Sequence, residues 1–297
     1  MKVAYRANNV TWRVDYRAVA AADEKTLDLA GWVTITNHTG TTFADAGLKL
    51  MAGDVNVVEE QPRRPGLSGA GRALERQKGA GEGFQEKSFA EYHLYTLGRP
   101  TTLANAQTKQ IELIAVERIP VTKRYLLRSP PGAPYAQPAP GGQPQQVAVI
   151  LEFKNSKEIR EGLGIPLPKG PFRVYLLGAD GQSELVGRDE IDHTPKDEPV
   201  RIRIGYAFDL AAQRTQTANR ARAGEQWTEQ DWKITLRSHK DQPVSIVVEE
   251  PLVGHWNWEI LAKSQDYRKK DFRTLEFTAD LPPNTEKTIT YTVRYTW

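Results

Sequence analysis

The sequence of 297 residues contains no cysteine. This absence excludes disulfide bonds, thiolate nucleophiles and cysteine-based zinc sites. It leaves the compartment open, because cysteine-free chains occur both in the cytoplasm and in oxidising envelope compartments. The chain also lacks any run of about 18 consecutive apolar residues, so no segment is predicted to span a membrane as a helix.

A strong charge bias is absent as well. The net charge is +3, and charged residues of both signs make up 26% of the chain. This excess is too small to predict binding to nucleic acid or to an anionic membrane. Hydrophobic residues contribute 39%, which is typical of a folded globular protein, and the length suffices for one large or two ordinary domains.

Helical periodicity is scarce, and the dominant hydrophobic period is two. In the closing segment "KTITYTVRYTW", one face is predicted to carry Ile289, Tyr291, Val293, Tyr295 and Trp297. The other face is predicted to carry Thr288, Thr290, Thr292, Arg294 and Thr296. Such alternation of β-branched and aromatic residues is typical of a half-buried antiparallel strand.

Comparable segments recur at intervals of roughly 8 to 15 residues, with turn residues between them, which is typical of an all-β sandwich. The alanine-rich segment 209–227 is also predicted as strand and loop rather than helix. We therefore predict an all-β fold of two antiparallel β-sandwich-like domains with long Gly/Pro-rich loops. The first domain spans 1–117, and the second, immunoglobulin-like domain spans 118–297.

Two segments are too rich in glycine and proline to form core elements. The first, 59–87, is predicted to be a long loop. The second, 128–146, is either an interdomain linker or the tip of a long hairpin. Because "VTKRYLL" and "VAVILEF" on its two sides both read as strands, the hairpin tip is favoured.

Long stretches of the chain resemble a known family. The resemblance is carried by "GWVTITNHTGTTFADAGLKLMAGDVNVV", by "LEFKNSKEIREGLGIPLPKGPFRVYLLGADGQSELVGRDEIDHTPKDEPVRIRIGYAFDL", by "EEPLVGHWNWEI" and by "TITYTVRYTW". The family is the C-terminal domain of unknown function (domain of unknown function 4139) of proteins similar to mucoidy inhibitor A. The resemblance implies an extended β-rich fold and a bacterial periplasmic, envelope or extracellular location. It supplies no accepted activity and no catalytic residues.

The acidic run "GRDEIDHTPKDEPVRIRIG" is the most chemically suggestive stretch. Oxygen-rich loops suit Ca²⁺ or Mg²⁺, and the candidate ligands are Asp189, Asp192 and Asp197. The EF-hand spacing is absent, however, and Pro195 together with side chain to backbone bonds would fix a turn without any metal. A structural turn is therefore favoured over a cation-binding or partner-binding loop, and over a catalytic site. Apart from this Ca²⁺ hypothesis, no cofactor is predicted.

Tryptophans provide a second candidate site. In "HWNWEI", Trp256 and Trp258 are predicted to share one strand face. Exposed, they would form a stacking platform for a carbohydrate or a patch for a partner. Buried, they would belong to the core, which is the favoured interpretation.

No catalytic motif is complete. "GLSGA" at 66–70 lacks the last glycine of a nucleophile elbow, and "GLGIPLPKG" lacks the ending of a phosphate loop. Glu249 and Glu250 are adjacent on a strand and point to opposite faces, so they cannot form a glycosidase pair alone.

The sequence therefore favours a non-enzymatic bacterial envelope or extracellular protein that acts by binding or self-assembly. The expected partners are a protein, or a second copy joined through sheet edges such as strand 286–297. No nucleic acid and no membrane span are expected. The alternative is a hydrolase or carbohydrate-binding module that uses exposed tryptophans and carboxylates.

Overall fold

A computed structural model shows the architecture. It describes residues 7–53, 84–89, 92–131, 141–221, 224, 226–252 and 257–297. These residues form strands, turns and loops without any helix, so the prediction of an all-β fold is confirmed. Within the same ranges, no helix is long and apolar enough to cross a membrane.

Ten strands lie in the first half of the chain. They are β1 (Val10–Ala20), β2 (Thr26–Asn37), β3 (Phe43–Ala46), β4 (Lys49–Ala52), β5 (Phe84–Phe89), β6 (Tyr92–Leu97), β7 (Thr101–Leu103), β8 (Gln107–Pro120), β9 (Thr122–Arg128) and β10 (Gln143–Lys154).

Nine strands follow in the second half. They are β11 (Gly170–Leu177), β12 (Ser183–Ile191), β13 (Pro199–Ala221), β14 (Trp227–Ser238), β15 (Val244–Pro251), β16 (Asn257–Lys263), β17 (Arg268–Asp271), β18 (Thr274–Leu281) and β19 (Glu286–Thr296).

The strands form two large sheets and two small ones. The five-stranded sheet has the order β12-β11-β1-β2-β8, and the nine-stranded sheet has the order β16-β19-β14-β13-β10-β9-β15-β18-β17. The pairs β1–β11 and β9–β15 are parallel. The small sheets are β3-β7 and β4-β6-β5. The large sheets position the candidate sites described below.

By packing, the chain divides into two compact units. The first contains Met1–Thr122 and Glu152–Ile202, and the second contains Lys123–Leu151 and Arg203–Trp297. The chain therefore passes between the units three times. Residues 152–202 pack with the first unit, although the sequence-based division at 117/118 assigns them to the second domain.

The core of the first unit contains aromatic residues with satisfied hydroxyl groups. Tyr16 stacks on Phe172 with 4.6 Å between ring centroids, and its hydroxyl donates to the carbonyl of Pro168 at 2.8 Å. Burial raises the pKa of Tyr16 well above its ordinary value, so this hydroxyl stays a neutral donor. A Cβ on Gly31 would lie 2.9 Å from atoms of Ile114 and Tyr16, so only glycine fits beneath this ring.

The buried side chains of the second unit form one cluster. They come from strands in both halves of the nine-stranded sheet. On β19, Ile289, Tyr291, Val293 and Tyr295 are buried, as the alternation predicts, whereas Trp297 is exposed. Leu127 and Val147 join the same cluster from β9 and β10; β14, β15 and β18 contribute further buried side chains. Burial of each large apolar side chain contributes about 1.5–3 kcal/mol.

Strands occupy the end of the predicted loop 59–87 and both ends of the predicted tip 128–146. Most of 59–87 lies outside the described residues, but its end belongs to β5, where Glu86 accepts a hydrogen bond from His93 across the β5–β6 pair. The predicted tip 128–146 overlaps the end of β9 and the start of β10, and 132–140 lies outside the described residues. The strands β9 and β10 are neighbours in the sheet, as a hairpin requires.

Candidate functional site

The structure places the three candidate metal ligands in different surroundings. Asp189 lies on β12, while Asp192 and Asp197 lie in the turn after it. Asp192 is 3.6 Å from the ammonium of Lys169, and Asp197 accepts a hydrogen bond of 2.6 Å from Ser156. In the described part of the chain, no three acidic or histidine side chains form a group that could hold a metal ion. The cation site therefore stays a prediction without supporting contacts.

Asn155 explains the acidic turn structurally. Its side chain is fully buried, and its amide donates to the carbonyls of Ile165 and Pro195 at 2.7 and 3.2 Å. Its amide oxygen accepts the backbone N–H of Gly164 at 3.0 Å. One side chain therefore fixes the turn to the preceding proline-rich loop. Sequence reasoning missed Asn155, because nothing distinguishes it locally from a surface asparagine.

Of the two candidate tryptophans, Trp256 lies outside the described residues. Trp258 is half-buried and packs against the core of the second unit. Its indole N–H donates to the carbonyl of Phe272 at 3.0 Å, and the ammonium of Lys269 lies 4.4 Å from its ring centroid. One position over the Trp258 ring thus already holds a cation, and ligand binding there stays a prediction.

A buried ionic network lies in the second unit and centres on Glu250, whose side chain is 0% exposed. Arg214 donates to its carboxylate at 2.9 Å, and the hydroxyl of Tyr291 donates at 2.6 Å. The hydroxyl of Ser129 donates to the other carboxylate oxygen. Both oxygens of this carboxylate therefore accept hydrogen bonds, as a buried charge requires.

Arg214 is held in its charged form. The carbon of its guanidinium lies 3.4 Å from the ring centroid of Trp232, a cation–π contact. Burial alone would lower the pKa of Arg214, but the charge of Glu250 and the Tyr291 hydroxyl outweigh it and raise the pKa. Burial, followed by the charge of Glu250, raises the pKa of Tyr291. The network is thus a fixed arrangement of one anion, one cation and neutral donors.

The neighbouring Glu249 points to the opposite face, as the sequence predicts. It is nearly buried and accepts hydrogen bonds from Lys270 and from Arg128, the latter at 2.8 Å. Burial acts to raise the pKa of Glu249, but these two cations lower it below the ordinary value. Both carboxylates therefore have cationic partners, and the lowered pKa of Glu249 is the opposite of what a general acid requires.

An apolar groove of about 410 Å³ opens elsewhere in the second unit, lined by residues of β10, β13 and β14. Its lining includes Pro144, Tyr206, Phe208, Leu210 and Arg237. Phe208 is 100% exposed and Tyr206 is 52% exposed. The groove has the size of a small ligand site.

An interruption of the alternation in β13 accompanies the exposure of these aromatic rings. Ala207 packs against the core, while Tyr206 and Phe208 on either side of it are exposed. Leu210 is buried in the core cluster, whereas Phe208 is fully exposed. Phe208 and Asp209 are both exposed, so the regular alternation of buried residues starts only at Leu210. In sequence, "GYAFDL" is indistinguishable from a buried strand, so this surface was missed.

The outer strands of both large sheets are irregular. In the five-stranded sheet, the edges are β12 and β8, and the register shifts at 174/175 and at two positions opposite β8. In the nine-stranded sheet, β16 carries a register shift at 260/262, and β17 is a four-residue basic strand with another shift. Bulges and short, charged edges disfavour pairing with another chain. The strand suggested for self-assembly, β19, lies between β14 and β16 and is not an edge.

The chain matches the model of a known protein family. The family model described as a domain of unknown function, DUF4139, matches residues 1–297, so the protein belongs to this family. The resemblance inferred from the sequence motifs is confirmed to that extent. No curated protein matches the chain.

Proposed function

We propose that this protein is a non-enzymatic binding protein, and that the groove beside Phe208 receives an extended segment of a protein partner. The observation that carries the proposal is the complete exposure of Phe208 next to a groove of about 410 Å³. Covering an aromatic ring of this size contributes about 1.5–3 kcal/mol. Such anchors commonly dominate the energy of a protein interface.

The irregular edges support a groove rather than an edge as the binding surface. Strand addition requires a regular row of free backbone groups, which bulges interrupt. The register shifts on β8, β12, β16 and β17 are therefore unfavourable for self-assembly through the edges. We accordingly place the partner on the face of β13.

The finer architecture belongs to the same proposal. We propose that the second unit is an immunoglobulin-like β-sandwich and that the first unit is sandwich-like. Support comes from the single core cluster of the second unit, which unites strands from both sides of the nine-stranded order. Two layers around one core are the defining feature of a sandwich.

The location of the protein is also proposed. The motifs between residues 151 and 210 resemble those of proteins similar to mucoidy inhibitor A, many of which carry secretion signals. We therefore propose a bacterial periplasmic, envelope or extracellular location. The absence of cysteine from the sequence is compatible with such a compartment.

The alternative, a hydrolase or a carbohydrate-binding module, has weaker support. A glycosidase needs one carboxyl group with a raised pKa beside a second carboxylate. Glu249 has a lowered pKa, and Glu250 is buried among Arg214 and hydroxyl donors. These contacts favour a structural role for both residues.

Peptide selection tests the proposed function. Extended peptides selected from a random library on the intact protein are expected to bind in the micromolar range. Phe208→Ala should weaken that binding about tenfold, because it removes the exposed anchor. Leu185→Ala is the control, since Leu185 is 43% exposed on β12 in the first unit. A library without enriched peptides, or equal binding by Phe208→Ala and the parent protein, would overturn the proposal.

A further inference from the structure

The groove in the second unit carries one formal charge. Among the described residues that line it, Arg237 alone has a charged side chain. Glu286 lies opposite Arg237 in the β14–β19 register, but no ion pair joins them. The side chain of Arg237 forms no hydrogen bond, ion pair or ring contact with any residue that the structure describes. An exposed guanidinium thus borders the apolar groove and is available to a ligand.

A second observation concerns the amide of Gln145, which also lines the groove. Its oxygen accepts a hydrogen bond of 3.2 Å from Ser129. Its amide nitrogen is buried and has no acceptor among the described residues. Buried donors without an acceptor are uncommon and each one calls for an explanation. Arg237 and the Gln145 amide nitrogen thus add N–H donors without a described acceptor to the lining of this groove.

We propose that the groove selects an extended peptide segment in which a row of aliphatic side chains has a carboxylate side chain at one end. This inference rests on the proposed function and specifies the chemistry of the partner. The carboxylate pairs with Arg237, whose planar guanidinium matches two carboxylate oxygens. The aliphatic side chains cover Phe208 and Tyr206.

The size of the groove agrees with such a segment. A volume of about 410 Å³ accommodates two or three side chains of an extended chain rather than a large ligand. In an extended peptide, alternate side chains point to the same side. Two aliphatic residues two positions apart would therefore face the groove together, and a carboxylate at one end of that row would reach Arg237.

Three matched peptides test the inference. Each is a pentapeptide that contains leucine and valine between flanking serines and is blocked at both ends. The three peptides differ at one position, which is glutamate, glutamine or lysine. Titration calorimetry with the whole chain is expected to give an affinity about tenfold higher for the glutamate peptide than for the glutamine peptide. The lysine peptide should bind more weakly than either.

Variants assign the effect to Arg237. Arg237→Gln should bring the glutamate and glutamine affinities together, whereas Arg237→Lys should retain part of the preference. Glu286→Gln should strengthen glutamate-peptide binding slightly, because it removes the acid opposite Arg237. Circular dichroism of each variant confirms that the strands are retained.

The outcomes separate this inference from the proposed function. Equal affinities of the glutamate and glutamine peptides would overturn the carboxylate inference. If Phe208→Ala then weakened the binding of both peptides, that result would still support the groove as the binding surface. An unchanged preference in Arg237→Gln would likewise overturn it. If none of the three pentapeptides binds but library peptides still bind through Phe208, the proposed preference for aliphatic and carboxylate side chains is wrong. The groove would then remain the binding surface.

Discussion

At the scale of single residues, the two adjacent glutamates show how a strand directs neighbouring side chains to opposite faces with different partners. Glu250 points into the core and is satisfied by Arg214, Tyr291 and Ser129, whereas Glu249 points outward to Lys270 and Arg128. Alternation predicts their opposite directions. Their partners come from β9, β13, β17 and β19, which are distant in sequence, so no local pattern could reveal either network.

Glu250→Ala is expected to destabilise the second unit by about 3–5 kcal/mol, because it leaves the Arg214 guanidinium buried without a counter-charge. The free energy of unfolding is read from hydrogen exchange in the core strands of that unit. Glu184→Ala, at an exposed position on β12, is the control and should change stability by less than about 0.5 kcal/mol. The paired replacement Arg214→Met with Glu250→Leu should cost much less. A loss below about 1 kcal/mol for Glu250→Ala would contradict the structural role.

The lowered pKa of Glu249 predicts a pH dependence. A carboxyl group whose pKa is depressed by folding contributes stability above its unfolded pKa, near 4.5, and loses it as the pH falls through the folded pKa. Glu249→Gln should therefore be less stable than the parent at pH 7. This difference should shrink as the pH falls below 4.5. A difference that stays constant from pH 7 to pH 3 would show that the two cations do not act on an ionised Glu249.

At the scale of elements, the acidic turn shows that a motif can be recognised in the sequence while the contacts that fix it cannot. The proline, the acids and the following strand were all visible in the sequence, and the strand from Pro199 onward is confirmed. The residue that fixes the turn, Asn155, lies 40 residues before Pro195. Side-chain to backbone bonds over that separation depend on tertiary packing, which a single sequence does not disclose.

Asn155→Ala is expected to cost about 2–4 kcal/mol, since it removes three hydrogen bonds and leaves buried backbone groups unpaired. Asp197→Ala, which removes the bond from Ser156 and places alanine at a left-handed φ of 65°, should cost about 1–2 kcal/mol. Thermal unfolding with and without Ca²⁺ separates this account from the cation hypothesis. A rise in melting temperature with Ca²⁺ that Asp197→Ala abolishes would support the cation site instead.

The edge strands belong to the same scale. Alternation predicted many strands, but it could not predict which of them lie at an edge, because the sheet order depends on long-range pairing. Strand β19 has the strongest alternation in the chain and is paired on both sides. The true edges carry register shifts and charged residues, which single-sequence periodicity describes as ordinary strands.

At the scale of the whole molecule, the class of fold was predictable and the arrangement was not. Period-two alternation and the scarcity of helical patterns suffice for an all-β fold. The return of residues 152–202 to the first unit was not visible, because adjacent strands in space need not be adjacent in sequence. The exposed groove was missed for a related reason: Phe208 looks like core until the limit of the core is known.

The central claim is that a partner segment binds along β13 at Phe208. Hydrogen exchange of the whole chain, with and without a selected peptide at saturating concentration, tests it most directly. The claim predicts that protection concentrates in 143–150 and 203–213, and that Phe208→Ala requires about tenfold more peptide for the same protection. Protection confined to the edge strands, at 183–191 or 257–263, would contradict the claim and would return binding to the sheet edges.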